Sequence, residues 1–337
     1  MFYSHNYYSI KKKYKKNICR VRKNLNYVKP FESFYNFVDG KVTFCSLICQ
    51  KNKMNIKDIY RILSPKFQNL HLNYKVNFKQ RYGYGLPAHQ KLYDIINAQR
   101  DNYKLMLDKA LSYKEYLWQI KDNKDETDDT KPRWNNNFLP GLDIIMIYTM
   151  IAQYKPKNYI EIGSGNSTKV VYKVRTEHNI DIKITSIDPC PRAEIDNLTD
   201  KAIRMPVENI DLTIFDSLEE NDIMFLDGSH SIYPNSDAMV FFMDILPKLK
   251  KGVIVHIHDI YLPYDYPQFM IDRFYNEQYG LAMYLLANPD KFTPIMPNYF
   301  VYEDKELSKQ ISPIWEHSNL QKVERHGGSF WFKINMD

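Results

Sequence analysis

The chain has 337 residues, 44% hydrophobic and 26% charged, which excludes a fully disordered chain and allows one large domain or two smaller ones. Its net charge of +6 is uneven, because residues 11–23 carry eight basic side chains and no acid, leaving the remainder at about −2. Four cysteines, Cys19, Cys45, Cys49 and Cys190, are too scattered for a disulfide scaffold, and no apolar run nears the roughly 18 residues of a membrane span, so a cytoplasmic protein is expected.

The first ten residues hold no apolar run, against a secretory leader. The basic stretch beyond them has two readings: a peripheral contact with anionic lipid, at about 1 kcal/mol per charge near the surface, or a solvated terminus. No nucleic-acid module accompanies it, and no specific nucleic-acid partner is expected. Residues 1–55 show no sustained period apart from a short strand at Lys41–Leu47, and Cys45 with Cys49 lacks a second pair at zinc spacing. From Gln90 to Lys121, Leu92, Ile96, Gln99, Tyr103, Met106, Ala110, Tyr113, Leu117 and Ile120 recur at spacings of four and three, the seam of one long helix. Such a helix spans about 45 Å and serves either an arm or homo-oligomer contact or packing on its own domain. The charged run Lys121–Pro132 reads as a linker. It sets the expected boundary between a mainly helical N-terminal region, residues 1–125, and a second domain, residues 126–337.

Beyond that run, strands and helices alternate. A helix is expected at Leu142–Gln153, and buried parallel strands at Asn158–Ile162, Ile182–Asp188, Asp222–Asp227 and Gly252–Asp259. Further helices are expected at Ser167–His178, Ser236–Leu249 and Gln268–Ala287, with late strands at Tyr299–Tyr302 and Phe330–Ile334. This alternation implies a doubly wound, mostly parallel α/β sheet that binds ligands at the carboxyl ends of its strands.

Two motif groups sit at those ends. In the first, Tyr159–Thr168, a strand runs into Gly163 and Gly165, which let the backbone approach a ligand, and a helix comes next with free N–H groups. A dinucleotide fingerprint wants a third small residue where Thr168 stands. Glu161 is placed to hold an ammonium group, and Asp188, at the end of the second strand, to take both ribose hydroxyls. In the second group, Asp227 and Asp259 end neighbouring strands about 4.8 Å apart, where two carboxylates suit Mg²⁺. His230 lies three residues past Asp227, in reach of the same spot as a general base. Of His256 and His258, the latter is nearer the rim and the former reads as a core residue. Glu277 and Gln278 are candidates to face an acceptor pocket, Trp134 with Asn135 to close over the cofactor, and Trp315 and Trp331 to lie in the core.

These motifs resemble class I S-adenosylmethionine-dependent methyltransferases over about Trp134 to the C-terminus, with the loop pattern acid-x-Gly-x-Gly at Glu161–Gly165. The second group is similar to the metal-dependent O-methyltransferases of the catechol and sugar types. The resemblance implies a seven-stranded Rossmann-like fold with S-adenosylmethionine held by Glu161, Gly163, Ser164, Gly165, Ser167, Thr168, Asp188 and Asp227. It implies a Mg²⁺ ion on Asp227 and Asp259, to which His258 is the candidate third ligand, with His230 and Asp227 catalytic and a saccharide or other small polar acceptor. Two positions depart from the family pattern: Ser167 stands where many members have a third glycine, and His258 and Ile260 flank Asp259 where another carboxylate or Asn is usual. The rivals are a nicotinamide-dependent oxidoreductase on a similar core and a non-catalytic protein that keeps the fold.

Overall fold

The computed structural model describes residues 56–70, 72–191 and 193–336. The basic stretch, Cys19, Cys45, Cys49 and the strand expected at Lys41–Leu47 lie outside the described residues. The chain divides into two compact units, Met1–Val76 and Asn77–Asp337. In the first, Ile56–Leu63 form a helix, α1. The division falls at 76/77 and the expected boundary at 125/126 lies inside the second unit, which holds both motif groups.

The seam from Gln90 to Lys121 is three helices rather than one: α2 (Gln90–Asn97), α3 (Arg100–Ser112) and α4 (Lys114–Trp118). The breaks fall at Gln99 and Tyr113, both outside helical backbone geometry. The Ile96 carbonyl at the first break accepts both the Gln99 N–H (3.2 Å) and the Tyr103 hydroxyl (2.6 Å). The break also shifts the phase, so that Leu107 is buried in place of Met106. Leu92, Ile96, Tyr103, Leu107, Ala110, Leu117 and Ile120 all enter the same core as the sheet. The seam is therefore spent on its own domain. The charged run is no linker either, because Lys121–Asp122 (β1) pairs in parallel with Arg133–Trp134 (β2).

Helix α5 (Gly141–Tyr154) is buried almost all round, as a core helix between layers should be. Then come β3 (Asn158–Ile162), α6 (Asn166–Glu177), β4 (Lys183–Ile187), β5 (Lys201–Ile203) and β6 (Ile223–Leu226). The helix expected at Ser236–Leu249 is α7 (Asp237–Val240) followed by a π turn and a 3₁₀ turn. After β7 (Ile254–Ile257), the helix expected at Gln268–Ala287 is split into α8 (Gln268–Ile271) and α9 (Glu277–Ala287), with Phe274 at φ 64° in the gap. The strand expected at Tyr299–Tyr302 is instead helix α10 (Asn298–Glu303), preceded by β8 (Phe292–Pro297). Helix α11 (Lys305–Gln310) and β9 (Phe330–Ile334) complete the unit.

The sheet order is β5-β4-β3-β6-β7-β9-β8, parallel except for β9, which runs antiparallel to both its neighbours. The chain order reverses between β3 and β6, so their carboxyl ends flank a crevice at the switch point. The doubly wound, seven-stranded, mostly parallel sheet matches the expectation. Strands β6 (IMFL) and β7 (IVHI) are buried on both faces, so their polar residues collect just past the ends.

Candidate active site

At the switch point, Gly163 (φ 81°) turns the chain past the end of β6 so closely that an added Cβ would run into the Asp227 carbonyl. Gly163→Ala should therefore cost about 2–3 kcal/mol, read as a lower urea midpoint, through left-handed strain and overpacking. Ser164 donates from its N–H (2.9 Å) and hydroxyl (3.2 Å) to one oxygen of Asp188, and the Cys190 N–H donates to the other (2.8 Å). A cavity of about 370 Å³ opens there, lined by Gly163, Ser164, Asp188, Val207, Glu208, Asp227 and Asp237 among others. Its volume is within the usual range for cofactor sites.

Four of the eight expected cofactor residues line that cavity: Gly163, Ser164, Asp188 and Asp227. Glu161, Gly165, Ser167 and Thr168 do not. Glu161 is fully buried beneath the loop, where it accepts from Thr168, Ser167 (3.1 Å) and Tyr159 (3.2 Å) hydroxyls. Burial pushes its carboxyl up to about 8, although those three donors pull the other way. Thr168 also accepts from the Gly165 N–H (3.2 Å), so the two residues anchor the glycine loop from below. The space a dinucleotide fingerprint would leave open is taken by that anchor.

The second motif group does converge. His258 Nδ1 lies 3.5 Å from Asp227 and 3.6 Å from Asp259, and His230 Nε2 lies 3.6 and 3.5 Å from the same two carboxylates. Each ring gives its other nitrogen to a fully buried acid. His230 Nδ1 meets Glu277 at 2.6 Å, and His258 Nε2 meets Asp143 at 3.1 Å. Two residues in the loops past β6 and β7, His230 (φ 59°) and Asp259 (φ 55°), have left-handed backbone, a conformation that His and Asp tolerate better than most residues. The His230 carbonyl accepts from the Asn276 N–H (2.9 Å), and Asn276 Oδ1 accepts from the Ile232 N–H (2.6 Å), which ties this loop to the start of α9.

Burial opposes a charged His230, but Glu277, Asp259 and Asp227 outweigh it and hold the imidazole above its ordinary value. Burial raises Glu277, and its second oxygen has no hydrogen-bond partner among the described residues. For Asp143 the order is reversed. Burial would raise it, yet His258, Asn298 and the Gly328 N–H together hold it below the ordinary carboxylate value.

A cavity of about 980 Å³ opens over this cluster, walled by Asp227, His230, His258, Asp259, Tyr261, Tyr275 and Tyr299 among others. It shares Asp227 with the smaller cavity. Glu277 and Gln278 do not line it, contrary to expectation. Glu277 stands behind His230, and Gln278 accepts from the Tyr261 N–H (3.0 Å), fixing the loop after β7. His256 is a core residue as expected, stacked between Phe225 and Trp331 and bonded to Ser329 (2.7 Å). Trp315 and Trp331 are core as well. Trp134 is too: it is fully buried and does not close over a cavity. Sequence reasoning missed Asp143 as a site residue, although a lone acid inside an apolar helix was its visible signal. The tyrosine wall had no such signal, since 27 tyrosines are spread along the chain.

The expected metal ligands Asp227, Asp259 and His258 come together at the rim, with the other nitrogen of His258 held by Asp143, but among the described residues they make no metal-binding group of three.

Comparison with known proteins bears on the same stretch. A family model described as "Methyltransferase domain" matches residues 160–260. An uncharacterised protein of Archaeoglobus fulgidus is 34% identical over 95 residues, 26% of this chain and 43% of that protein, so the chain spans less than half of this relative's length. Among solved structures, the S-adenosylhomocysteine-bound methyltransferase PaMTH1 of Podospora anserina is 17% identical, with 63% of this chain and 93% of that one covered at a TM-score of 0.34. The O-methyltransferase of Bacillus cereus in complex with S-adenosylhomocysteine is 12% identical, with 73% and 96% covered at a TM-score of 0.35.

Proposed function

We propose, from the match of residues 160–260 to a methyltransferase-domain family model, that the chain is an S-adenosylmethionine-dependent O-methyltransferase acting on a hydroxyl of a saccharide or other small polar acceptor. The observation that carries this reading is the pair of cavities meeting at Asp227, one beside Asp188 and the other under His230. When bound, S-adenosylmethionine supplies an electrophilic methyl group on a sulfonium. Asp188 would hold the ribose, keeping its oxygens on the far side of the Ser164 turn. Glu277 accepts the Nδ1 proton of His230, so that, once the ring is neutral, the Nε2 lone pair faces the acceptor cavity. His230 would take the hydroxyl proton as the oxygen–methyl bond forms and the sulfur–methyl bond breaks. Asp227, in both walls, sits where the positive charge of one ligand and the hydroxyl of the other come together.

A divalent cation would rest on Asp227, Asp259 and Nδ1 of His258, and would favour the ionised acceptor oxygen. The single nitrogen donor suits a transition ion better than Mg²⁺. Full turnover in excess chelator would remove the metal from this reading.

Calorimetry tests the cofactor first. The chain should bind S-adenosylmethionine, and Asp188→Ala should weaken it by about 1.5–3 kcal/mol for each lost charge-assisted hydrogen bond. Unchanged affinity in that variant would refute the ribose assignment. Residues 11–23 are proposed to add a contact with anionic lipid. Sedimentation with anionic vesicles should be lost at high salt and on deletion of those residues.

A further inference from the structure

A third cavity, of about 440 Å³, adjoins the acceptor cavity, with Tyr302 and Glu303 in the walls of both. Its lining includes the buried Trp315, the hydroxyl residues Ser308 and Ser312, and three cations: Lys305, Lys309 and Arg325. Glu303 is the sole acid among those lining residues. Among the described residues none of the three cations has an ion-pair or hydrogen-bond partner through its side chain. The acids close by are already engaged, since Asp304 pairs with Arg100 (2.6 Å) and Glu306 with Arg100 and Lys104 (both 2.8 Å). Three exposed, unpaired cations around a concavity whose wall also carries two serine hydroxyls are a donor set for a multiply charged oxyanion. The guanidinium offers a planar fork and the two ammonium groups point charges. On the acceptor side, the wall of the larger cavity includes Tyr261 and Tyr299.

We infer that this cavity binds a phosphate group carried by the methyl acceptor, a phosphorylated saccharide whose free hydroxyl lies under His230 while Lys305, Lys309 and Arg325 hold its phosphate. The phosphate cavity stands on its own residues; its assignment to the acceptor rests on the methyltransferase reading.

The test is calorimetry at low salt on the full chain, with glucose 1-phosphate, inorganic phosphate and glucose as probes and S-adenosylmethionine titrated into the same samples. Glucose 1-phosphate should bind more tightly than inorganic phosphate, and glucose should give no measurable heat. The combined variant Lys305→Glu, Lys309→Glu, Arg325→Glu should weaken the phosphosugar by about tenfold or more in total, with S-adenosylmethionine affinity unchanged as the check on folding. Absence of binding by the wild type, or equal binding by the variant, would overturn the cavity assignment. Inorganic phosphate binding as tightly as the phosphosugar would overturn the acceptor assignment. Phosphosugar binding without any S-adenosylmethionine binding would uphold the cavity and defeat the methyltransferase reading.

Discussion

Replacing His230 by Ala should slow methyl transfer by about 10²–10⁴-fold while leaving S-adenosylmethionine affinity nearly unchanged, because the ring lines the acceptor cavity and not the one beside Asp188. The pH profile adds a check that a merely structural role would not give. The carboxylates around His230 hold its imidazole above the ordinary value of about 6.5. The neutral, proton-accepting form therefore grows only as pH rises beyond that value, and kcat/KM should climb through an alkaline limb. Glu277→Gln removes one of those carboxylates, so the limb should move to lower pH and the plateau should fall. A limb that stays in place in Glu277→Gln would refute the pairing, and undiminished activity in His230→Ala would refute the base.

The largest loss of stability is expected at Asp143. Its carboxylate accepts from His258 Nε2 (3.1 Å), Asn298 Nδ2 (2.7 Å) and the N–H groups of Gly328 (2.8 Å) and Ser329 (2.9 Å), all without solvent. Asp143→Ala strands those buried donors and leaves His258 without its rear partner. The cost should be about 3–5 kcal/mol, the range for breaking a buried pair from one side, read from urea unfolding. The sign of the pH dependence comes from the depressed carboxyl. Its contribution is fully present above the unfolded value of about 3.9 and is lost as pH falls through the lower folded value. The stability gap between wild type and Asp143→Ala should therefore narrow in acid. A gap that stays constant down to pH 2 would contradict the assignment.

Strands β3, β4, β6 and β7 are legible in the sequence because burial on both faces leaves short apolar runs ending in polar residues. The same reading fails at Tyr299–Tyr302, where aromatic content suggests a strand although Asn298–Glu303 forms a helix. Periodicity also overruns the breaks at Gln99 and Phe274, since a kink preserves most of the apolar spacing on either side. Asp227, Asp259, His230 and His258 stand out because strand ends in a parallel sheet share one rim. The partner of His230 escapes for the opposite reason. Glu277 lies 47 residues away on a different element, and no local pattern reports a contact set by the packing of α9 against the loop after β6. Glu161 is misplaced by the sequence because spacing locates a residue along a loop but does not say which side of it faces the ligand.

The left-handed backbone at His230 and Asp259 bears on how the protein would respond to selection for robustness. Glycine is the residue that such a conformation accepts without steric cost, so at either position the substitution that relieves the main chain also deletes an imidazole or a carboxylate. A search for heat-tolerant variants that ignored chemistry would be drawn to these two positions, and each gain there would be taken directly from the acceptor cavity.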